Sequence, residues 1–162
     1  MYKKILVPLD GSELSGSVLD HVVTIATSCQ VPEVVLLTVS ESLDKGISEL
    51  IDARVSMDLE EAYRIASDQS QAYLDELEKY LNKMATKLMQ NGITAKIEVL
   101  SGKPAEEILK YSTDNEVDLI IMSTHGRSGF SRIVFGSVAD KVLRQTEIPV
   151  LLRPAGQSTK NK

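Results

Sequence analysis

Short apolar runs alternate along this chain with longer stretches in which apolar residues recur at every third or fourth position. Short apolar runs bounded by turn residues are typical of strands. Most of the runs are almost continuously apolar, as in strands buried on both faces of a parallel sheet, whereas the third run alternates and is expected near the sheet edge. The predicted strands are Lys4–Pro8, Val34–Val39, Ile93–Leu100, Asp118–Met122 and Pro149–Leu152.

Helical periodicity fills most of the intervals between these strands. Glu13–Cys29 is predicted to form one helix, because apolar residues such as Val18 and Val22 follow one another at helical spacing. Pro104 fits the first turn of a second helix, and Val138–Arg144 has the pattern of another. Strands that alternate with helices imply right-handed crossovers and a parallel sheet. We therefore predict an α/β fold, a single-domain doubly wound sandwich whose five-stranded, mostly parallel sheet carries helices on both faces.

The interval between the second and third predicted strands is longer than one crossover needs. Within it, Asp58–Asn91 has helical spacing and is predicted to be one long helix, or two helices with a break near Ser67–Ser70. Gly92 suits the end of this helix, since glycine readily adopts the left-handed conformation that closes many helices. The preceding segment, Ser40–Met57, is more irregular. We expect residues 40–70 to form a partly helical surface insertion, and a lid over a site at the strand ends is the alternative.

Composition favours a soluble cytoplasmic protein. The chain has 162 residues, of which 43% are hydrophobic and 25% charged, enough for one domain over residues 1–154 with a substantial core. Its net charge of −5 argues against general nucleic-acid binding, and its apolar runs are too short to span a membrane. The N-terminus lacks signal-peptide features, and Cys29 is the single cysteine, so no internal disulfide is expected. The polar tail, residues 155–162, is predicted to be disordered.

The segment Ser123–Ser137, between the fourth strand and the last helix, has the clearest features of a ligand site. Gly126 and Gly129 lack a Cβ, so the backbone can turn sharply and a ligand can approach the main-chain amides. Gly136 stands just before the next helix, where unpaired N–H groups and the helix dipole favour an anion. Two arginines between these points add positive charge. The pattern is consistent with a phosphate site and equally with a connection that needs glycine only to turn.

Asp10 follows the first strand and is the second candidate. In an open α/β sheet, ligands bind outside the carboxyl ends of the strands, where the strand order reverses. If the first and fourth strands are neighbours there, Asp10 faces the Ser123–Ser137 segment and its carboxylate can accept ribose hydroxyls or hold Mg²⁺ beside a phosphate. Capping of the first helix is the competing role for Asp10 and Ser12. Both roles can coexist, with Ser12 as the cap and Asp10 as the ligand.

At these residues the chain resembles the universal stress protein family, and the resemblance covers nearly its whole length. It begins with KKILVPLDGSE at Lys3–Glu13 and ends with PVLLRP at Pro149–Pro154. The ATP-binding branch of that family has a glycine, two residues, a second glycine, nine residues, and then Gly-Ser or Gly-Thr. Gly126 and Gly136 with the serine after it match the later part of this pattern. Ser123 replaces the first glycine, and its Cβ and hydroxyl narrow the space.

The resemblance implies an ATP site in which each part of the nucleotide has its own contacts. Asp10 contacts the ribose, Pro8 packs near the base, and Val39 meets adenine. The pocket floor and the phosphate cradle are formed by Met122, Ser123, Gly126, Arg127, Ser128, Gly129, Gly136, Ser137 and Val138.

Three functions from different classes follow. We expect a nucleotide-binding regulatory protein that acts through partners in a stress response. A slow Mg-dependent ATPase or nucleotidyl-transfer relative is the enzymatic alternative, and a dimeric scaffold that binds no nucleotide is the third. No catalytic residue is assigned, because His125 lacks the partner pattern of a general base and the chain has no GxxxxGK[ST], GxSxG or HExxH motif.

The last predicted strand, Pro149–Leu152, is the candidate dimer interface. It is short and apolar, and the residues after it offer nothing obvious to cover its outer edge. Exposed strand edges are templates for pairing, and two copies of one strand can pair around a two-fold axis. The resemblance points to the same homodimer, since many universal stress proteins dimerise through this strand.

Overall fold

The computed structural model describes residues 2–41, 58–124 and 136–154, and these form the predicted doubly wound α/β sandwich. Its strands are β1 (Lys4–Pro8), β2 (Glu33–Ser40), β3 (Ala95–Ser101), β4 (Leu119–Thr124) and β5 (Val150–Pro154). Its helices are α1 (Glu13–Gly16), α2 (Leu19–Cys29), α3 (Leu59–Met89), α4 (Pro104–Asp114) and α5 (Ser137–Gln145). The predicted disordered tail, residues 155–162, and residues 42–57 of the predicted insertion lie outside the described residues.

The five strands form one parallel sheet in the order β3-β2-β1-β4-β5. The chain moves outward from β1 to β2 and β3, and then returns to the other side of β1 with β4 and β5. The strand order therefore reverses between β1 and β4, as the proposed ligand site requires. The third strand lies at one edge, which confirms the expectation from its alternating pattern, and β5 lies at the other.

Helices cover both faces of the sheet and divide the core in two. Helices α2 and α3 bury residues such as Val22 and Leu81 against Ile5 and Leu36 on one face. Helices α4 and α5 bury Ile108 and Val142 against Leu6, Val35 and Ile120 on the other. The central strands are thus buried on both sides, which explains their continuous apolar sequences.

The predicted single helix Glu13–Cys29 is wrong, because the segment forms two helices. Helix α1 ends at Gly16, and α2 begins at Leu19 after a turn in which the Val18 N–H bonds to the Ser15 carbonyl. Serine and glycine are weak helix formers, so the Ser15–Ser17 stretch weakens the helix locally. The apolar spacing continues across the turn and gives no sign of it.

The long interval between β2 and β3 contains one long helix, which is the first of the two predicted alternatives. Helix α3 runs for 31 residues without the alternative break near Ser67–Ser70, where Ser70 is buried within the helix. Gly92 closes it as predicted: with a φ of 76° it donates its N–H to the Met89 carbonyl, and Ile93 donates to Leu88. These two bonds form a Schellman motif.

The two strands that lead toward the site extend further than predicted. β4 reaches Thr124 and β5 reaches Pro154, two residues beyond their predicted ends. Residues Ser123 and Thr124 pair with Arg153 and Pro154, so the extensions support each other. Because the added residues are polar or proline, the apolar pattern could not include them.

Candidate functional site

A cavity of about 230 Å³ opens at the carboxyl ends of β1, β2 and β4, at the point where the strand order reverses. This volume is close to the lower limit of roughly 300 Å³ usual for small-molecule pockets. Most of its walls are apolar, and its polar lining residues include the exposed Asp10 and the buried Ser15 and Thr124. It is lined by Pro8, Leu9, Asp10, Ser15, Leu37, Val39, Pro104, Ile108, Met122, Ser123, Thr124, Gly136, Ser137, Val138 and Ala139.

The turn between β1 and α1 presents a carboxylate at the rim. Asp10 is exposed, and its Oδ1 accepts the Ser12 N–H at 3.0 Å and the Ser12 hydroxyl at 2.6 Å. Ser12 Oγ in turn accepts the Ser15 N–H at 3.1 Å, which is the bond of a helix N-cap. Ser12 is therefore the cap of α1, and the Asp10 side chain holds that cap while it lines the cavity.

The start of α5 closes the opposite side of the cavity. The Gly136 N–H donates to Thr124 Oγ1 at 2.9 Å, which joins the end of β4 to the residue that precedes the helix. The N-cap residue, Gly136, has no side chain with which to cap this helix, and Ser137, Val138 and Ala139 of its first turn line the cavity. Amides of a first helical turn have no partner within the helix, and the dipole makes this end partly positive. The arrangement suits an anion at this wall.

The structure brings eight of the predicted site residues together around this one cavity. Their shared position is a geometric finding, and their contact with a nucleotide stays a prediction. The eight are Pro8, Asp10, Val39, Met122, Ser123, Gly136, Ser137 and Val138. The other four, Gly126, Arg127, Ser128 and Gly129, lie outside the described residues, as does His125.

Several lining residues were missed by sequence reasoning. Pro104 and Ile108 enter from the first turns of α4, whose start lies at the same sheet edge because every strand is parallel. That topology was a usable signal, since it places the start of each crossover helix beside the strand ends. Ser15 and Thr124 had no sequence signal, because their roles rest on hydrogen bonds made after folding.

The electrostatic environment contains one perturbed group close to Asp10. Burial raises the pKa of the Tyr80 hydroxyl, a hydrogen bond from Ser15 opposes this, and the charge of Asp10 raises it further. Among the described residues, no three acidic, histidine or cysteine side chains cluster as a complete metal site. None of the helices in the described ranges is long and apolar enough to cross a membrane.

Comparison with known proteins agrees with the fold. The sequence model of the universal stress protein family matches residues 1–154. The chain belongs to the universal stress protein family. It is 32% identical to universal stress protein MJ0577 of Methanocaldococcus jannaschii over 157 residues, which cover 94% of each protein. It is 30% identical to MJ0531 of the same organism over 152 residues, covering 94% of this chain and 82% of the relative.

Solved structures of universal stress proteins share the architecture. The structure of MJ0577 superposes with a TM-score of 0.77 at 30% identity and covers 98% of this chain and 99% of its own. A universal stress protein from Archaeoglobus fulgidus, solved in complex with dAMP, has a TM-score of 0.64 at 18% identity and covers 93% and 97% of the two chains. At that identity the second likeness shows the fold alone.

Proposed function

We propose that this universal stress protein binds ATP in the cavity at the β1–β4 switch point and acts as a nucleotide-dependent regulator in the cytoplasm. The observation that carries the proposal is the cavity itself. It combines apolar walls, the N-terminus of α5 on one side and the Asp10 carboxylate on the other. These are the three environments that a base, a phosphate chain and a ribose need.

Each part of ATP has a place in this arrangement. Adenine fits between apolar residues such as Pro8 and Val39, where shape and main-chain groups suffice for recognition. The ribose hydroxyls can donate hydrogen bonds, and the Asp10 carboxylate is the acceptor that we assign to them. The phosphates belong at the first turn of α5, where the amides and the Ser137 hydroxyl supply hydrogen bonds.

We propose that Mg²⁺ binds at this site only together with the phosphates. Asp10 is an exposed carboxylate at the rim, and one carboxylate plus phosphate oxygens and water is a common Mg²⁺ environment. The ion would offset charge on the phosphates. The residues present fit such a shared site better than a site made by protein alone.

The dAMP complex of the Archaeoglobus fulgidus protein supports the choice of an adenine nucleotide. That protein shares the fold with this chain, so the same switch-point position is available in both. Our proposal extends its adenine nucleotide to ATP because the helix N-terminus offers more than one donor to a longer phosphate chain.

The proposed regulator is a homodimer that pairs through β5. This strand lies at the sheet edge, and Val150, Leu151 and Leu152 on it are only partly buried within one chain. Pairing the same strand of two chains would cover these side chains and the edge of β5 that none of the described strands pairs.

Calorimetric titration with ATP tests the nucleotide proposal. The protein should bind one ATP per chain at micromolar strength, and Val39→Phe should reduce affinity at least about tenfold because the ring occupies the base position. Val99→Phe is the matched control, since Val99 is similarly half-buried but packs against the core on the other face of the sheet. Equal affinity in the parent and in a folded Val39→Phe variant would contradict the proposed site.

The same preparation separates regulation from enzymatic turnover. Under the proposal, incubation with ATP and Mg²⁺ leaves most of the nucleotide intact over many binding lifetimes. Steady release of ADP or AMP that disappears in the Val39→Phe variant would instead establish the enzymatic alternative.

A further inference from the structure

The long helix α3 contacts the turn between β1 and α1, which carries Asp10, through one side chain. The Tyr80 hydroxyl donates to the Ser12 carbonyl at 3.0 Å and lies 3.1 Å from Ser15 Oγ. Sixty-eight and 65 residues separate these partners along the chain, so the contact is purely tertiary. Ser12 caps α1, and Ser15 lines the cavity.

The hydrogen bonds continue from Tyr80 to Asp10. Each hydroxyl has one proton, so while Tyr80 donates to the Ser12 carbonyl, Ser15 donates either to the Tyr80 oxygen or to the same carbonyl, which lies 3.0 Å from its Oγ. Ser15 Oγ then accepts the backbone N–H of Asp10, at 3.3 Å. The Asp10 carboxylate binds the N–H and hydroxyl of Ser12, which completes a closed set of contacts around the turn.

Close packing keeps Tyr80 in this position. Gly16 faces it, and a Cβ placed there would lie 3.2 Å from the Tyr80 hydroxyl oxygen and 3.4 Å from the Met84 sulfur. Ser15 is only 3% exposed, so its hydroxyl depends on these protein partners. The burial that raises the pKa of Tyr80 also keeps its hydroxyl protonated and able to donate.

We propose that Tyr80 is a positioning residue of the nucleotide site: through Ser12 and Ser15 its hydroxyl fixes the turn that carries Asp10, and so links α3 to ribose recognition. The proposal rests on the proposed ATP site. Helix α3 covers the opposite face of the sheet from α4 and α5. Under this proposal it nevertheless influences the affinity for ATP. A shift of α3 would move the Tyr80 hydroxyl and, through the turn, the Asp10 carboxylate that we assign to the ribose.

Tyr80→Phe tests the link, because it removes only the hydroxyl. ATP affinity should fall about three- to tenfold, as expected for one lost hydrogen bond. Affinity for 2′,3′-dideoxy-ATP should be unchanged, since that ligand lacks the hydroxyls that Asp10 recognises. Tyr73→Phe is the matched control on the same helix, where Tyr73 is 44% exposed, and it should bind both ligands like the parent.

A double variant separates positioning from a general loss of stability. Asp10→Ala combined with Tyr80→Phe should bind ATP no more weakly than Asp10→Ala alone, because Tyr80 acts through Asp10. Losses that multiply, or an equal loss for ATP and dideoxy-ATP, would overturn the proposal. An ATP affinity of Tyr80→Phe equal to that of the parent would overturn it as well.

Hydrogen exchange measured without nucleotide tests the positioning role of Tyr80 independently of ATP binding. In the Tyr80→Phe protein, the amides of Ser15 and Gly16 should exchange at least about threefold faster than in the parent and in Tyr73→Phe. If the parent binds no ATP, the proposed function fails, and this exchange result alone decides whether Tyr80 fixes the turn. Unchanged exchange at both amides would show that it does not.

Discussion

Asp10 and Ser12, two residues apart, show how closely helix capping is combined with the proposed nucleotide site. Ser12 makes the bond of an N-cap, and Asp10 contacts Ser12 while it lines the cavity. The sequence left open which of the two is the cap, because both residue types are strong caps; the distances assign the cap to Ser12, and the ligand role of Asp10 stays a prediction. The sequence could not predict Tyr80, since nothing local marks a partner 68 residues away.

Replacement of Asp10 by Asn separates charge from geometry at this turn. The amide oxygen can still accept the Ser12 N–H, so the melting temperature should change little. ATP affinity should fall about 10- to 100-fold, the usual effect of losing a charged hydrogen-bond partner. Ser12→Ala should instead lower the free energy of unfolding by about 1 kcal/mol, because α1 loses its cap.

Calorimetry and thermal melts of the two variants check this prediction. A lower melting temperature for Asp10→Asn with unchanged ATP affinity would assign Asp10 to the structure of the turn alone. That result would contradict both proposed contacts of Asp10, the one with the ribose and the one with Mg²⁺.

Asp118 has a purely structural role at the opposite end of the sheet. Its Oδ2 accepts the N–H groups of Lys3 and Lys4 at 2.7 and 2.9 Å, which fastens the start of β1 beside β4. These backbone bonds lower its pKa below the usual value of 3.8. A depressed pKa means that Asp118 stabilises the fold at pH values above 3.8, and that this contribution is lost as the pH falls through the lowered pKa.

The predicted pH dependence follows from that sign. Asp118→Asn should lower the urea midpoint at about pH 7, and the difference from the parent should shrink toward about pH 2. Glu147→Gln, at an exposed position, is the control and should change the midpoint little at either pH. A difference between Asp118→Asn and the parent that persists undiminished at the lower pH would contradict the assignment.

At the scale of elements, three helices end in the same way but with different residues. Helices α2, α3 and α4 each close with paired bonds around a left-handed residue, at Gln30, Gly92 and Glu116. Only the second of these is glycine. The sequence therefore predicted the end of α3, whereas the other two ends had no such signal.

Glycine exchange at these positions should change stability in opposite directions. Gln30→Gly or Glu116→Gly should stabilise the fold by up to about 1 kcal/mol, because a side chain is costly in the left-handed region. Gly92→Ala should destabilise by about 1 kcal/mol, although the added Cβ would meet no atom of the described residues within 4 Å beyond Gly92 and its two chain neighbours. Urea unfolding measures both effects, and a stabilising Gly92→Ala would contradict the backbone explanation.

At the scale of the whole molecule, topology was the most predictable property and assembly is the least tested one. The regular alternation of strand and helix patterns leaves few arrangements other than a parallel sheet with crossovers. The position of the cavity was predictable to the same extent, because the switch point follows from strand order. A two-chain interface depends on shape across a surface, which one chain's pattern does not contain.

The proposed β5 dimer gives a mass prediction. Light scattering after gel filtration should give twice the chain mass of 17.8 kDa, and Leu152→Lys should shift it toward monomer by placing charge in the interface. Val99→Lys, on the half-buried edge strand β3, is the matched control and should remain dimeric. A parent protein that runs as a monomer at all concentrations would contradict the dimer.

The central claim is that an adenine nucleotide occupies the cavity at the switch point, and an amide NMR titration with ATP tests it most directly. The account predicts saturating shifts at Asp10, Val39, Ser123, Ser137 and Val138, all of which line that cavity. A second groove, of about 520 Å³ between α2 and α3 and lined by Lys83 and Lys87, provides the internal comparison. Shifts confined to that groove, or no shifts at millimolar ATP, would contradict the account.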